Sequence, residues 1–126
     1  MTKRILLADD EPDILKAFSV RLTSRGYEVL HATNGQEALA VARAQRPDLV
    51  ILDQHMPPMD GSEVCQRLKG DPDCQAIPVL LLTATSGYEL QELKVHSGAD
   101  YVMVKLVSSD YLLVVIEELF TRRAPP

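Results

Sequence analysis

Leu49-Val50-Ile51-Leu52-Asp53 is an uninterrupted apolar run closed by a carboxylate. A strand with one face in water alternates apolar and polar residues. A run without alternation suits a strand covered on both faces, as in a parallel sheet. Arg46-Pro47-Asp48 stops the helical pattern before it, and His55 to Gly61 after it is a loop rich in Pro and Met. The same arrangement recurs on either side. Ile5 to Ala8 is a short apolar run ending at Asp9-Asp10-Glu11. Pro78-Val79-Leu80-Leu81-Leu82 is another, ending at Thr83. Tyr27 to Ala32 and Tyr101 to Val104 read as two more strands, the second ending at Lys105.

Helical patterns fill the intervals. Pro12 fits the first turn of a helix, where its missing donor costs nothing. Ile14, Leu15, Phe18 and Leu22 then recur at helical spacing, and Gly26 suits a left-handed cap. Thr33-Asn34-Gly35 opens a second helix over Gln36 to Gln45, with Ala38, Leu39, Ala42 and Val41 facing inward. Ser62 to Lys69 is a third. Leu90 and Leu93 belong to a fourth, ended by Ser97-Gly98. Asp110 to Thr121 is the last, with Leu112, Val115, Ile116 and Leu119 on one stripe. Five strands alternating with five helices predict a parallel sheet with helices on both faces.

The chain has 126 residues, 46% of them hydrophobic, and a net charge of -5. That length predicts one domain, here 1–121, with 122–126 as a tail or the start of a linker. The core is large enough to stand without disulfides. Cys65 and Cys74 form no metal-ligand cluster with histidine and read as reduced thiols. No apolar run approaches the roughly 20 residues that span a bilayer, and no signal peptide opens the chain, so the expected location is cytoplasmic with no membrane contact. The acidic balance and scattered Lys and Arg argue against nucleic-acid binding.

The polar residues of interest share a position. Asp9-Asp10, Asp53, Thr83 and Lys105 each stand at the carboxyl end of a predicted strand. In open parallel sheets that edge carries the ligand crevice. Three carboxylates at close range repel one another and call for a cation or a bound proton. They are hard oxygen ligands, which suits Mg²⁺, with Mn²⁺ as the alternative. A carboxylate can attack phosphorus to form an acyl phosphate, and a metal and an ammonium can hold the charge that develops. Taken singly, each residue has a plainer reading. An Asp after a strand often caps the next helix, a Thr there is commonly a turn residue, and a Lys is usually solvated. Asp9-Asp10-Glu11 also suits a helix dipole. Their coincidence at one sheet edge is what points to a Mg²⁺/phosphate site.

The sequence closely resembles the receiver domain of bacterial two-component response regulators, the CheY-like superfamily. The matching pieces are Ile5-Leu6-Leu7-Ala8-Asp9-Asp10-Glu11-Pro12, Leu49-Val50-Ile51-Leu52-Asp53 and Met56-Pro57-Pro58-Met59-Asp60-Gly61. Pro78 to Ala84, Gly98-Ala99-Asp100 and Lys105 complete the set. The spacing also matches, with 30 residues from Asp53 to Thr83 and 22 from Thr83 to Lys105. The resemblance implies a flavodoxin-like (βα)₅ three-layer sandwich with strand order 2-1-3-4-5. It implies Asp53 as phosphoacceptor, Asp10 as a direct metal ligand, Asp9 as a ligand acting through water, and the backbone carbonyl of His55 as a further ligand. Lys105 would contact the phosphoryl group and Thr83 would move toward it. The implied donor is a phosphohistidine on a sensor histidine kinase or a histidine phosphotransfer protein. The domain would catalyse its own phosphorylation and dephosphorylation rather than act as a metabolic enzyme.

Three positions depart from the family pattern. Leu106 follows Lys105 where the family usually has Pro. Val102 occupies the switch-aromatic position, and the aromatic falls one residue earlier at Tyr101, which in a strand is the opposite face. His55 stands two residues after the acceptor, where its side chain is either simply exposed, the favoured reading, or flanks the attacking water and tunes phosphoryl lifetime. These departures leave room for a receiver-fold interaction or dimerisation module whose partner face is the fourth helix, last strand and last helix. A phosphate-ester hydrolase is disfavoured because no segment reads as a lid. The chain reads either as a stand-alone regulator or as a domain of a longer kinase or regulator with an output domain, the second favoured slightly because Arg122 to Pro126 resembles the start of a linker.

Overall fold

The computed structural model describes residues 2–84, 87–105 and 109–122, the side chains of Ser109 and Arg122 aside. Thr85, Ser86, 106–108, Leu106 among them, and 123–126 lie outside them. The described elements alternate throughout. They are β1 (Arg4–Ala8), α1 (Pro12–Ser24), β2 (Glu28–Ala32), α2 (Gly35–Gln45), β3 (Leu49–Asp53), α3 (Gly61–Lys69), β4 (Val79–Thr83), α4 (Tyr88–Ser97), β5 (Tyr101–Val104) and α5 (Ser109–Arg122). The strands form one parallel sheet in the order β2-β1-β3-β4-β5. This is the flavodoxin-like architecture expected from the sequence, and element ends differ from expectation by a residue or so.

Burial explains the sheet order. β3 and β4 are buried at every residue, as their unbroken apolar runs require. Leu6, Val50, Leu52 and Leu81 point to the face covered by α2 and α3. Ile5, Leu7, Ile51 and Leu80 point to the other, against α1 and α5. β2 lies at an edge and buries only Ala32 fully. Val41 is partly buried against the first of these clusters, beside the fully buried Ala38 and Ala42. Met56 is fully buried and Met59 partly so, which anchors the loop after β3 in the same core.

Helix ends follow their local chemistry. Asn34 Oδ1 accepts the Glu37 N–H at 2.8 Å and caps α2. Glu37 Oε1 returns to the Thr33 N–H at 2.8 Å. Gly98 ends α4 in the left-handed region with φ 78, where a side chain would be strained. Lys69, at the end of α3, binds Asp100 at 2.8 Å and the Ile77 carbonyl at 2.8 Å. Asp100 in turn accepts the Val79 N–H at 2.8 Å. That node ties α3 to the starts of β4 and β5.

Gly61 lets α3 begin directly against the end of β3. A Cβ there would lie 2.4 Å from the Asp53 carbonyl oxygen and 2.8 Å from Leu81 Cδ1. Gly61→Ala must therefore displace backbone next to Asp53. We expect a loss of about 1–3 kcal/mol of stability, read as a lower urea midpoint. An unchanged midpoint would show that the loop relaxes freely.

Candidate functional site

Parallel pairing brings the strand ends together. Ala8 pairs with Leu52, Asp53 with Leu82, and Thr83 with Val104. Asp9 and Lys105 follow the last residues of β1 and β5, while Asp53 and Thr83 are the last residues of β3 and β4. Backbone bonds fix the exits: Gln54 N donates to the Leu82 carbonyl at 2.7 Å and Lys105 N to the Thr83 carbonyl at 2.7 Å. A cavity of about 560 Å³ opens at this edge, lined among others by Asp10, Glu11, Asp53, Thr83 and Lys105.

The site is an ammonium among carboxylates. Lys105 Nζ lies 3.0 Å from Asp53 Oδ2, 3.1 Å from Asp9 Oδ2 and 3.4 Å from Glu11 Oε1. Asp9 and Asp53 are only 2% and 3% exposed, and burying carboxylate charge is costly unless it is paired. Asp9 Oδ1 accepts the Glu11 N–H at 2.9 Å. Asp9 therefore does serve the chain entering α1, as the plainer reading held, while its other oxygen faces Lys105. Asp10 is exposed at the rim. Carboxylate oxygens of Asp9, Asp10 and Asp53 lie within 4.8 Å of one another, the one such group of metal-ligating residue types among the described residues. The donors are all oxygen, as a hard divalent cation requires.

The electrostatics follow from burial. Desolvation raises the Asp53 pKa above the ordinary carboxylate value; the Lys105 hydrogen bond opposes this and the Asp9 charge adds to it. A hydrogen bond from the His55 backbone N–H also lowers it. Desolvation is the largest single influence on Lys105 and would lower its pKa. The hydrogen bonds and charges of Asp53 and Asp9 together outweigh it, so the ammonium is held firmly. The three carboxylates thus already have one internal cation.

The sequence-expected residues take different places. Thr83 is buried at 4% exposure on the cavity wall. His55 lines the cavity with an exposed side chain. His31 and His96 are exposed and away from the carboxylates, His31 Nε2 facing Ser19 Oγ at 2.6 Å. Cys65 is buried and its thiol is pushed up to about 11 by desolvation, so it packs α3 rather than reacts. Tyr101 and Val102 do face opposite sides. Tyr101 packs toward α1 and α5, with its hydroxyl 3.0 Å from that of Tyr111, and Val102, like Leu93 of α4, packs against the core cluster on the other face.

Two residues escaped the sequence reading. Glu11 reached attention only as helix-start acidity, yet it touches Lys105. Gln54 drew none. Its side-chain Oε1 accepts the Ser62 N–H at 2.7 Å and its Nε2 donates to Ser62 Oγ at 3.2 Å. It caps α3 where Asp60, the N-cap residue, makes no side-chain bond. Its signal was only its place beside Asp53.

Comparison with known proteins agrees with this geometry. Residues 5–117 match the response regulator receiver domain. A probable transcriptional regulator, ycf27 of Cyanophora paradoxa, is 39% identical over 98% of this chain and 51% of its own. The chain spans about half the length of this relative. The signal receiver domain of a signal transduction histidine kinase from Syntrophus aciditrophicus superposes with a TM-score of 0.91 at 34% identity, covering 99% of this chain and 95% of that one. The response regulator TrrA of Thermotoga maritima, solved in complex with Mg²⁺-BeF, superposes with a TM-score of 0.83 at 36% identity over 94% and 99%. With the family match spanning β1 to α5 and the acidic site standing at the strand ends where that match runs, the chain belongs to the response regulator receiver domains.

Proposed function

We propose that Asp53 is the phosphoacceptor of this receiver. The observation that carries the reading is its carboxylate, buried at the end of the central strand and 3.0 Å from Lys105, in a cavity that Asp10 and Thr83 also line. An oxygen of Asp53 attacks the phosphorus of a phosphohistidine. The P–N bond breaks, the imidazole leaves, and an acyl phosphate forms on Asp53. Water later attacks that phosphorus, the bond to Asp53 breaks, and inorganic phosphate departs. Lys105, already at Asp53, meets the new negative charge on the phosphoryl oxygens. The Thr83 hydroxyl donates to another of them.

The carboxylates of Asp9, Asp10 and Asp53 and the backbone carbonyl of His55 would hold Mg²⁺, with Mn²⁺ as the alternative. The ion would supply positive charge for the phosphoryl oxygens. The all-oxygen donor set at one sheet edge supports this assignment. The donor is proposed to be a sensor histidine kinase or a histidine phosphotransfer protein in the cytoplasm. Residues 1–121 are proposed as the receiver, joined through 122–126 to an output domain in a longer chain. Nucleic-acid contact, on this reading, falls to that output domain. None of the described helices is long and apolar enough to cross a membrane. A homodimer through α4, β5 and α5 is also proposed, supported by the exposed apolar surface of Tyr111 and Val114 on α5.

Incubation with Mg²⁺ and acetyl phosphate should add one phosphoryl mass to the intact protein, and Asp53→Asn should add none. Absence of that mass in the wild type, where a control receiver labels, overturns the assignment. The homodimer should appear as a rise in molar mass by light scattering on phosphorylation. A constant monomer mass removes it.

The pH dependence of stability has a definite sign. A raised folded-state pKa means that the folded chain holds the Asp53 proton more tightly than the unfolded chain. The resulting stability is present below the ordinary Asp value of about 3.9 and is lost as pH rises through the folded value. Ionised Asp53 is thus a liability at neutral pH. Without Mg²⁺, Asp53→Asn should unfold at a higher urea concentration than wild type at pH 7. The difference should close as pH falls below the ordinary carboxylate range. Lys105 keeps Asp9 and Glu11 in that variant.

A further inference from the structure

Glu11 immediately follows Asp9 and Asp10 but does not share their environment. Its side chain is largely in water at the entrance of the cavity. It is the N-cap residue of α1, yet its carboxylate caps nothing. It reaches instead across the sheet edge to Lys105, 94 residues away.

The contact completes a count. An ammonium has three N–H donors. Lys105 Nζ faces three carboxylates, those of Asp53, Asp9 and Glu11, at 3.0, 3.1 and 3.4 Å. Two of these belong to the group proposed to hold a divalent cation. The other oxygen of Asp9 is taken by the Glu11 N–H. A divalent cation and the ammonium therefore claim the same few oxygens, and they repel each other. Glu11 is the carboxylate that bonds Lys105 without belonging to the metal-ligating group. Its contact is the longest of the three and the most exposed, so it can tighten by side-chain rotation with little desolvation.

We propose that Glu11 is a positioning residue for Lys105. When a divalent cation takes the oxygens of Asp9 and Asp53, Glu11 holds the ammonium at the cavity mouth, within reach of Asp53. Two cations can then share one small acidic site. The proposal rests on the reading of Asp9, Asp10 and Asp53 as a divalent-cation site.

The test is Mn²⁺ binding to the whole chain, read from the electron paramagnetic resonance signal of free Mn²⁺. Glu11→Gln removes the charge. Glu11→Asp keeps the charge but withdraws it by one methylene, out of contact with Lys105. Both variants are expected to bind Mn²⁺ about two- to five-fold more weakly than wild type, the range that an exposed ion pair implies. The loss should vanish when Lys105→Gln is the background, because Glu11 then has no ammonium to hold. Wild-type affinity in Glu11→Asp with a loss in Glu11→Gln would mean that only net charge matters, and overturns the proposal. So does an equal loss from Glu11→Gln in the Lys105→Gln background, or wild-type affinity in both Glu11 variants. A wild-type chain that takes up no Mn²⁺ overturns the cation site itself and the proposal with it. Should Lys105→Gln fail to fold, the comparison of Gln with Asp at position 11 still decides.

Discussion

The arrangement turns on one ion cluster, the Lys105 ammonium between the buried carboxylates of Asp53 and Asp9. Burying two carboxylates this close together is costly unless a cation pairs with them. Lys105 pairs with both, and their hydrogen bonds and charges hold it in its charged form in return. Buried charge pairs are expensive to assemble and weak as a source of net stability, because desolvation offsets the Coulomb gain. Their persistence here fits a site kept for chemistry. The cluster also explains how these carboxylates can stand together at the sheet edge.

Everything around the cluster serves to hold its members in register. The pairings of β3 with β1 and β4 set Asp53 at the level of its neighbours, and the Gln54 and Lys105 backbone bonds to β4 fix where the chain leaves the sheet. Gly61 allows α3 to start against the Asp53 carbonyl, and Gln54 caps that helix. Movement in the acceptor loop is therefore mechanically linked to α3. On the opposite side of β4, Val102 offers only an aliphatic contact with the region of α4, and Tyr101 is turned toward α5. The aromatic hydroxyl on β5 is engaged with Tyr111 instead.

Much of this was legible in the residues themselves. Continuous burial of Leu49 to Leu52 determined a central parallel strand, because only a doubly covered strand can afford such a run. The helical recurrence of Ile14, Leu15, Phe18 and Leu22 and of the stripe within 110–121 determined amphipathic helices. The placement of Asp9, Asp10, Asp53, Thr83 and Lys105 at strand ends followed from the alternation, and with it their convergence on one edge. The opposite facing of Tyr101 and Val102 followed from the period of two in a strand. The spacing of these residues carried the family.

What the sequence could not determine was which polar groups touch. Adjacency along the chain made Asp9, Asp10 and Glu11 look alike, yet folding buries the first, leaves the second at the rim and turns the third to Lys105. Gln54 looked like an ordinary loop residue until the start of α3 came within its reach. These distinctions depend on side-chain direction and on contacts between residues far apart in the chain, such as Glu11 and Lys105, 94 residues apart. They arise only when parallel pairing has set five strand ends side by side, since local periodicity specifies the face of a strand but not its distant neighbours.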